Sequence, residues 1–158
     1  MDIARFDLET GTYDFLVQTP FADAGPSYSP DGEWVAYHSS ETGTGRWEIF
    51  AVPARGGSAK YQITSSGGIH PDWSPGGEAI YYFGLDGQVM IVGVQVGQSL
   101  EYNLPEALLE LDRPADDQAP FHVMPDGKSF LLNRLIRAPE AVPITLVQGW
   151  TRRLSGER

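Results

Sequence analysis

The chain has 158 residues, 41% hydrophobic and 20% charged, a composition that supports one domain with its own core. Its formal net charge of −10 excludes a nucleic-acid backbone as partner, because neutralising phosphates requires a basic face. The lack of cysteine excludes disulfides, thiolate chemistry and cysteine-held metals, and no apolar run reaches the roughly 18 residues needed to insert into a membrane.

In chain order, Ile3–Leu8 and Tyr13–Gln18 are short β-prone runs around a loop at Glu9-Thr10-Gly11-Thr12. The spacing predicts a hairpin, the outer two strands of a sheet whose inner strands are not in this stretch. A denser unit follows: Pro26-Ser27-Tyr28-Ser29-Pro30-Asp31-Gly32-Glu33-Trp34-Val35-Ala36-Tyr37. It reads as strand, tight turn, strand, since Pro30 presets its backbone angle and Gly32 accepts the left-handed one. An inner strand is expected to end near Tyr28, with further strands over Trp34–Ser39, Trp47–Val52 and Lys60–Thr64.

The unit returns as Pro71-Asp72-Trp73-Ser74-Pro75-Gly76-Gly77-Glu78-Ala79-Ile80-Tyr81-Tyr82. Strands are predicted at Ile69–Trp73, Ala79–Phe83 and Gln88–Val96, and the pattern leaves Glu106–Leu111 open between a fourth strand and a helical turn. A third copy, Phe121-His122-Val123-Met124-Pro125-Asp126-Gly127-Lys128-Ser129-Phe130-Leu131-Leu132, sits between strands expected at Ala119–Val123 and Ser129–Leu135, with a last strand over Ile144–Trp150.

A hairpin repeated every 45–50 residues or so has the period of a propeller blade. The runs Trp34-Val35-Ala36-Tyr37, Ala79-Ile80-Tyr81-Tyr82-Phe83 and Phe130-Leu131-Leu132 are apolar on both faces, which blade-on-blade packing would cover. No apolar helical period persists over three turns. The expected fold is therefore all-β: a partial β-propeller of about three four-stranded antiparallel blades plus an N-terminal half blade. The division is 1–20 for the half blade, then repeats over 21–66, 67–113 and 114–158.

The Ser-Pro-Asp-Gly unit followed by an apolar residue, Ala36 and Tyr37 resembles the WD40-like β-propeller repeat of the TolB type. The match is close at Pro26–Tyr37, good at Pro71–Phe83 with Gly76 in place of Asp, and weaker at Phe121–Leu132. The ending Pro143–Thr151 is similar to the C-terminal propeller region of bacterial serine/threonine kinases. The same repeat occurs in TolB and in the propellers of dipeptidyl peptidases and prolyl oligopeptidases, so the resemblance implies binding partners or gating substrate. Neither a kinase glycine-rich loop with its lysine nor a His-Arg-Asp loop is present in the chain.

Of the three histidines, His70 and His122 fall at inner strands beside Asp72, where they would line a central channel or else bond the backbone. No His-x-His or His-Glu-x-x-His spacing supports a metal there, and neither metal nor cofactor is assigned. No Gly-x-Ser-x-Gly elbow is present, and Ser29 and Ser74 sit in the repeated turn, where Asp31 and Asp126 are expected to accept backbone N–H groups. Asp112, Asp116 and Asp117 lack calcium-loop spacing. Arg46-Trp47 is the best surface anchor pair, unless Trp47 packs between blades.

The reading is a non-catalytic binding or scaffold module for a protein or peptide partner, with Arg46, Trp47, His70, Asp72 and His122 as binding candidates. The alternative is a sensor or accessory propeller of a larger enzyme, such as a receptor kinase or a serine peptidase. Three blades and a half leave two uncovered faces, so self-association into a ring of about seven blades, or an upstream propeller segment, is expected to complete the circle. The tail carries Arg134, Arg137, Arg152, Arg153 and Arg158 against only Glu140 and Glu157, a basic end on an acidic body that either docks or is solvated. The start Met1-Asp2-Ile3-Ala4-Arg5 lacks the apolar core of a signal peptide. That places a complete chain in the cytoplasm and a fragment of a membrane-anchored protein in the periplasm.

Overall fold

A computed structural model describes residues 1–97, 99–111 and 121–133. These are all-β, with no helix among them. Strands β1 (Ile3–Phe6) and β2 (Tyr13–Val17) form a two-stranded sheet. Strands β3 (Asp23–Tyr28), β4 (Trp34–Ser39), β5 (Glu48–Pro53) and β6 (Tyr61–Gln62) form a four-stranded antiparallel sheet in chain order. Strands β7 (Ile69–Trp73), β8 (Ala79–Phe83) and β9 (Gln88–Val96) begin the next sheet. Its outer edge is shared by β10 (Leu100–Tyr102) and β11 (Glu106–Glu110), both antiparallel to β9. The segment left open between strand and helical turn is thus a strand, the second half of an outer strand broken at Asn103-Leu104-Pro105. Strands β12 (Phe121–Val123) and β13 (Phe130–Leu132) form a last hairpin.

The same corner opens each of the three later sheets. Gly32, Gly77 and Gly127 donate their N–H groups to Ser29, Ser74 and Met124 carbonyls at 2.8, 2.9 and 2.9 Å. Each glycine has φ between 64° and 78°, the left-handed conformation that glycine adopts without penalty. The Ser29 hydroxyl donates to Asp31 (2.5 Å) and accepts the Trp34 N–H (2.9 Å), and the Asp31 carboxylate also accepts the Glu33 N–H. In the third copy Met124 has no hydroxyl, and Ser129 supplies one to Asp126 from the other side of the turn. Hydrogen bonds from Ser29 and the Glu33 N–H hold the Asp31 carboxyl below its usual range, and those from the Lys128 N–H and Ser129 do the same for Asp126.

Packing is face to face between successive sheets, as the doubly apolar runs require. All six residues of β4 are buried. On one side Trp34, Ala36, Ile49 and Ala51 meet Trp73, Ile80, Tyr82 and Val92 of the following sheet. On the other side Val35, Tyr37, Phe50 and Val52 meet Ile3 and Val17 of the N-terminal hairpin. A third cluster joins Phe83 and Val89 to Phe121 and Val123. Sheets covered on both faces by their neighbours in series are the arrangement of a partial propeller.

Some strands depart from the bounds expected of them. The outer strand expected over Lys60–Thr64 is assigned only at Tyr61–Gln62: the Ile63 N–H still donates to the Ile49 carbonyl (2.8 Å), but the Thr64 hydroxyl accepts the Ile49 N–H (2.9 Å) that a strand carbonyl would otherwise take. Trp47 stays outside β5, its carbonyl taken by the Gly68 N–H at 2.8 Å. The expected strand over Ile144–Trp150, the aspartates Asp112, Asp116 and Asp117, and the basic tail lie outside the described residues.

Candidate functional site: the groove between the inner strands

Counting from the shared corner, Ser27, Asp72 and His122 occupy the same position on three successive inner strands. The register of β3 shifts between Ala24 and Ser27, and that of β7 between Ile69 and Asp72. These bulges sit at equivalent Gly-Pro and His-Pro pairs, where Gly25 has φ 59° and His70 has φ 53°. A bulge re-aims the side chains that follow it. Here both bulges precede a polar residue on the first strand of a sheet.

The result is a stitch across three sheets with Asp72 at its centre. One carboxylate oxygen accepts the Ser27 hydroxyl at 3.2 Å. The other accepts the Val123 N–H at 2.9 Å and lies 2.8 Å from His122 Nδ1. The Trp73 indole N–H adds a bond to the Ser27 carbonyl at 3.2 Å. Asp72 is largely covered, with 16% of its side chain exposed, whereas the His122 side chain is 71% exposed and remains available. Ser27, His70, Pro71, Asp72, Phe121 and His122 line an open groove of about 200 Å³.

Beside the groove lies a second aromatic set. The His38 ring stands edge-on to Trp47 at 4.9 Å and to His70 at 5.2 Å. Burial, with the neighbouring His70 adding to it and Asp23 opposing, pushes the His38 pKa down to about 4, so the ring is neutral at pH 7. Gly25 makes room for it: a Cβ at that position would stand 2.5 Å from His38 Cε1.

Of the five residues singled out by sequence, His70, Asp72 and His122 therefore share one groove. Trp47 does not line it but meets His38, whose ring meets His70, and the exposed Arg46 does not line it either. Ser27 and His38 were not among the five. Ser27 carries a signal in its repeat position, level with Asp72 and His122, and His38 stands where the next repeat has Phe83.

The order of groups limits the chemistry. A serine nucleophile needs an imidazole between hydroxyl and carboxylate. Here the carboxylate is in the middle, and the Ser27 proton is directed at Asp72. No group of three or more His, Asp or Glu side chains arranged to hold a metal occurs among the described residues. What the groove offers is an exposed imidazole and a part-buried carboxylate above the buried Pro71 and Phe121.

No family model matches the chain. Over 92 residues it is 34% identical to "Uncharacterized protein Atu1656" of Agrobacterium fabrum (strain C58 / ATCC 33970), covering 56% of this chain and 30% of that protein. Its structure is similar to TolB from Acinetobacter baumannii, with a TM-score of 0.58 and 24% identity over 83% of this chain and 31% of the other. It is also similar to a putative TolB from Agrobacterium tumefaciens, with a TM-score of 0.51 and 29% identity over 64% of this chain and 40% of the other. The fold is thus that of a TolB-type β-propeller, and the chain spans well under half the length of the proteins it matches.

Proposed function

We propose that the chain is a non-catalytic propeller segment that binds a protein or peptide partner along the groove where β3, β7 and β12 meet. The observation that carries this reading is the Ser27–Asp72–His122 stitch. It ties three strands together while leaving the His122 ring exposed at the groove. A groove with few polar groups in fixed positions on an apolar lining suits recognition of an extended chain. The test is a peptide array probed with the whole chain, followed by NMR titration of the peptides that bind. Binding should shift His70 and His122 resonances, and His122→Ala should weaken it about tenfold, or 1.4 kcal/mol, without lowering the melting temperature. Peptides that bind but leave both histidines unmoved would refute the groove as the site.

A second reading is an accessory propeller of a larger enzyme, of the receptor-kinase or serine-peptidase kind. The limited span of the chain within its relatives favours it. The reading requires kinase or peptidase motifs elsewhere in the same reading frame, and their absence from the gene would refute it.

A further inference from the structure

The hydrogen-bond donors around Asp72 are already spent, and what the groove turns outward is a set of acceptors. Asp72 accepts on both oxygens, from the Ser27 hydroxyl at 3.2 Å and from the Val123 N–H at 2.9 Å. It is therefore a carboxylate, and His122 Nδ1, 2.8 Å away, is the ring nitrogen that carries a proton toward it. In the neutral ring this leaves Nε2 as a bare lone pair on an exposed side chain.

The neighbouring groups do not offset this. The Ser27 proton goes to Asp72, which leaves the Ser27 oxygen as a further acceptor. The His70 N–H goes to Nδ1 of His38, and Pro26 and Pro71 have no N–H to give. Among the described residues no lysine or arginine lines the groove, and Asp72 is its one carboxylate. The His38 ring, which meets His70 edge-on, is kept neutral by burial and adds no positive charge. The chain as a whole carries a net charge of −10, so the wider field has the sign of Asp72.

Acceptors in a negative field select a donor that is also a cation. Lysine and arginine both qualify, and the layout favours arginine. Ser27, Asp72 and His122 lie on three different strands, β3, β7 and β12. An ammonium is a single, strongly hydrated point. A guanidinium spreads five N–H donors in a flat fan that can meet acceptors on more than one strand, and it gives up its water more readily.

We propose that the groove takes an arginine side chain of the peptide that lies along it, the guanidinium donating to His122 Nε2 and to the Ser27–Asp72 pair. The inference rests on the groove being the peptide site. Asp72 then acts twice: it joins the strands, and it fixes which nitrogen of His122 faces the partner.

Two measurements test this. In the free chain at about pH 8, where an imidazole is ordinarily neutral, proton–nitrogen correlation spectra should show His122 protonated on Nδ1. Protonation on Nε2 would overturn the proposal. The second is an NMR titration of the whole chain with capped Ser-Gly-Ser-X-Ser-Gly-Ser peptides, X being arginine, lysine, citrulline or glutamate. The arginine peptide should shift the His122 ring nitrogens and bind about tenfold more tightly than the citrulline peptide, which keeps the shape without the charge. Lysine should fall between them and glutamate should bind weakest. His122→Phe should erase most of the preference for arginine over citrulline. Citrulline or glutamate peptides that bind as tightly as arginine while moving His122 would overturn the cation and leave the groove as the peptide site, and lysine equal to arginine would overturn the guanidinium. Arginine-dependent binding that leaves His70 and His122 unmoved would refute the groove itself, and this inference with it.

Discussion

The backbone N–H of His70 donates to Nδ1 of His38 at 3.3 Å, which places the proton of the buried His38 ring on Nε2. Charging that ring would turn an acceptor into a donor facing a donor. Its pKa, brought down to about 4 chiefly by burial, lies below the ordinary value of 6.5. Between those two values the unfolded chain binds a proton that the folded one does not, so stability falls as pH drops from 6.5 to about 4. The slope contributed by this one group approaches about 1.4 kcal/mol per pH unit. Urea midpoints measured across that window should fall with pH in the wild type. His38→Phe, which copies Phe83 of the next repeat, should remove this component of the fall.

The two bulges make an unequal pair. Gly25→Ala would place a methyl group 2.5 Å from His38 Cε1 on a backbone at φ 59°. The expected loss is about 2–4 kcal/mol, the sum of conformational strain and overpacking. His70 adopts the same conformation with a side chain at φ 53°, so His70→Gly relieves strain of about 1 kcal/mol. Denaturation of the two variants should therefore show a large loss at position 25 and a much smaller change at position 70.

Asp72 ties its own strand to both neighbours. Asp72→Ala leaves the Val123 N–H and the Ser27 hydroxyl without their acceptor, at a cost of about 1–3 kcal/mol. The damage should be local. Hydrogen exchange at Val123 should quicken markedly, while amides of the β4–β5 ladder, sheathed on both faces, should keep their protection. Uniform loss of protection would contradict this division.

Tyr37 is fully buried, and its hydroxyl has no hydrogen-bond partner among the described residues. Burial, aided by Glu41 and Asp23, pushes its pKa well above the ordinary tyrosine value. Deleting an unpaired buried hydroxyl removes a desolvation cost and no bond. Tyr37→Phe should hold or raise the melting temperature, and a loss above about 1 kcal/mol would show the hydroxyl to be satisfied in solution.

The fold was largely legible because its signals are local. Asp31-Gly32 and Asp126-Gly127 each close a corner with their own few neighbours, and Gln88–Val96 and Ala79–Phe83 carry strand patterns that begin and end where the ladders do. The groove was less legible because it is lateral. That Asp72 would reach both Ser27 and Val123 depends on how three strands distant in sequence line up, and two bulges set that alignment. His70, Asp72 and His122 stood out by chemical type. Ser27 did not, since a serine is unremarkable until its repeat position is compared with theirs. The outer strands were blurred because side chains replace ladder bonds, as Thr64 does at Ile49.

The repeated corner also bears on how the chain reaches its final form. Each closes through contacts spanning only a few residues, such as Ser29 with Asp31 and Trp34, and needs no other sheet in place. Short-range closure is entropically cheap and fast, so any of the three can nucleate its own hairpin. Assembly then spreads from hairpin to neighbouring hairpin, as in linear repeat arrays. A lesion at one corner should slow that step while leaving the other two able to start.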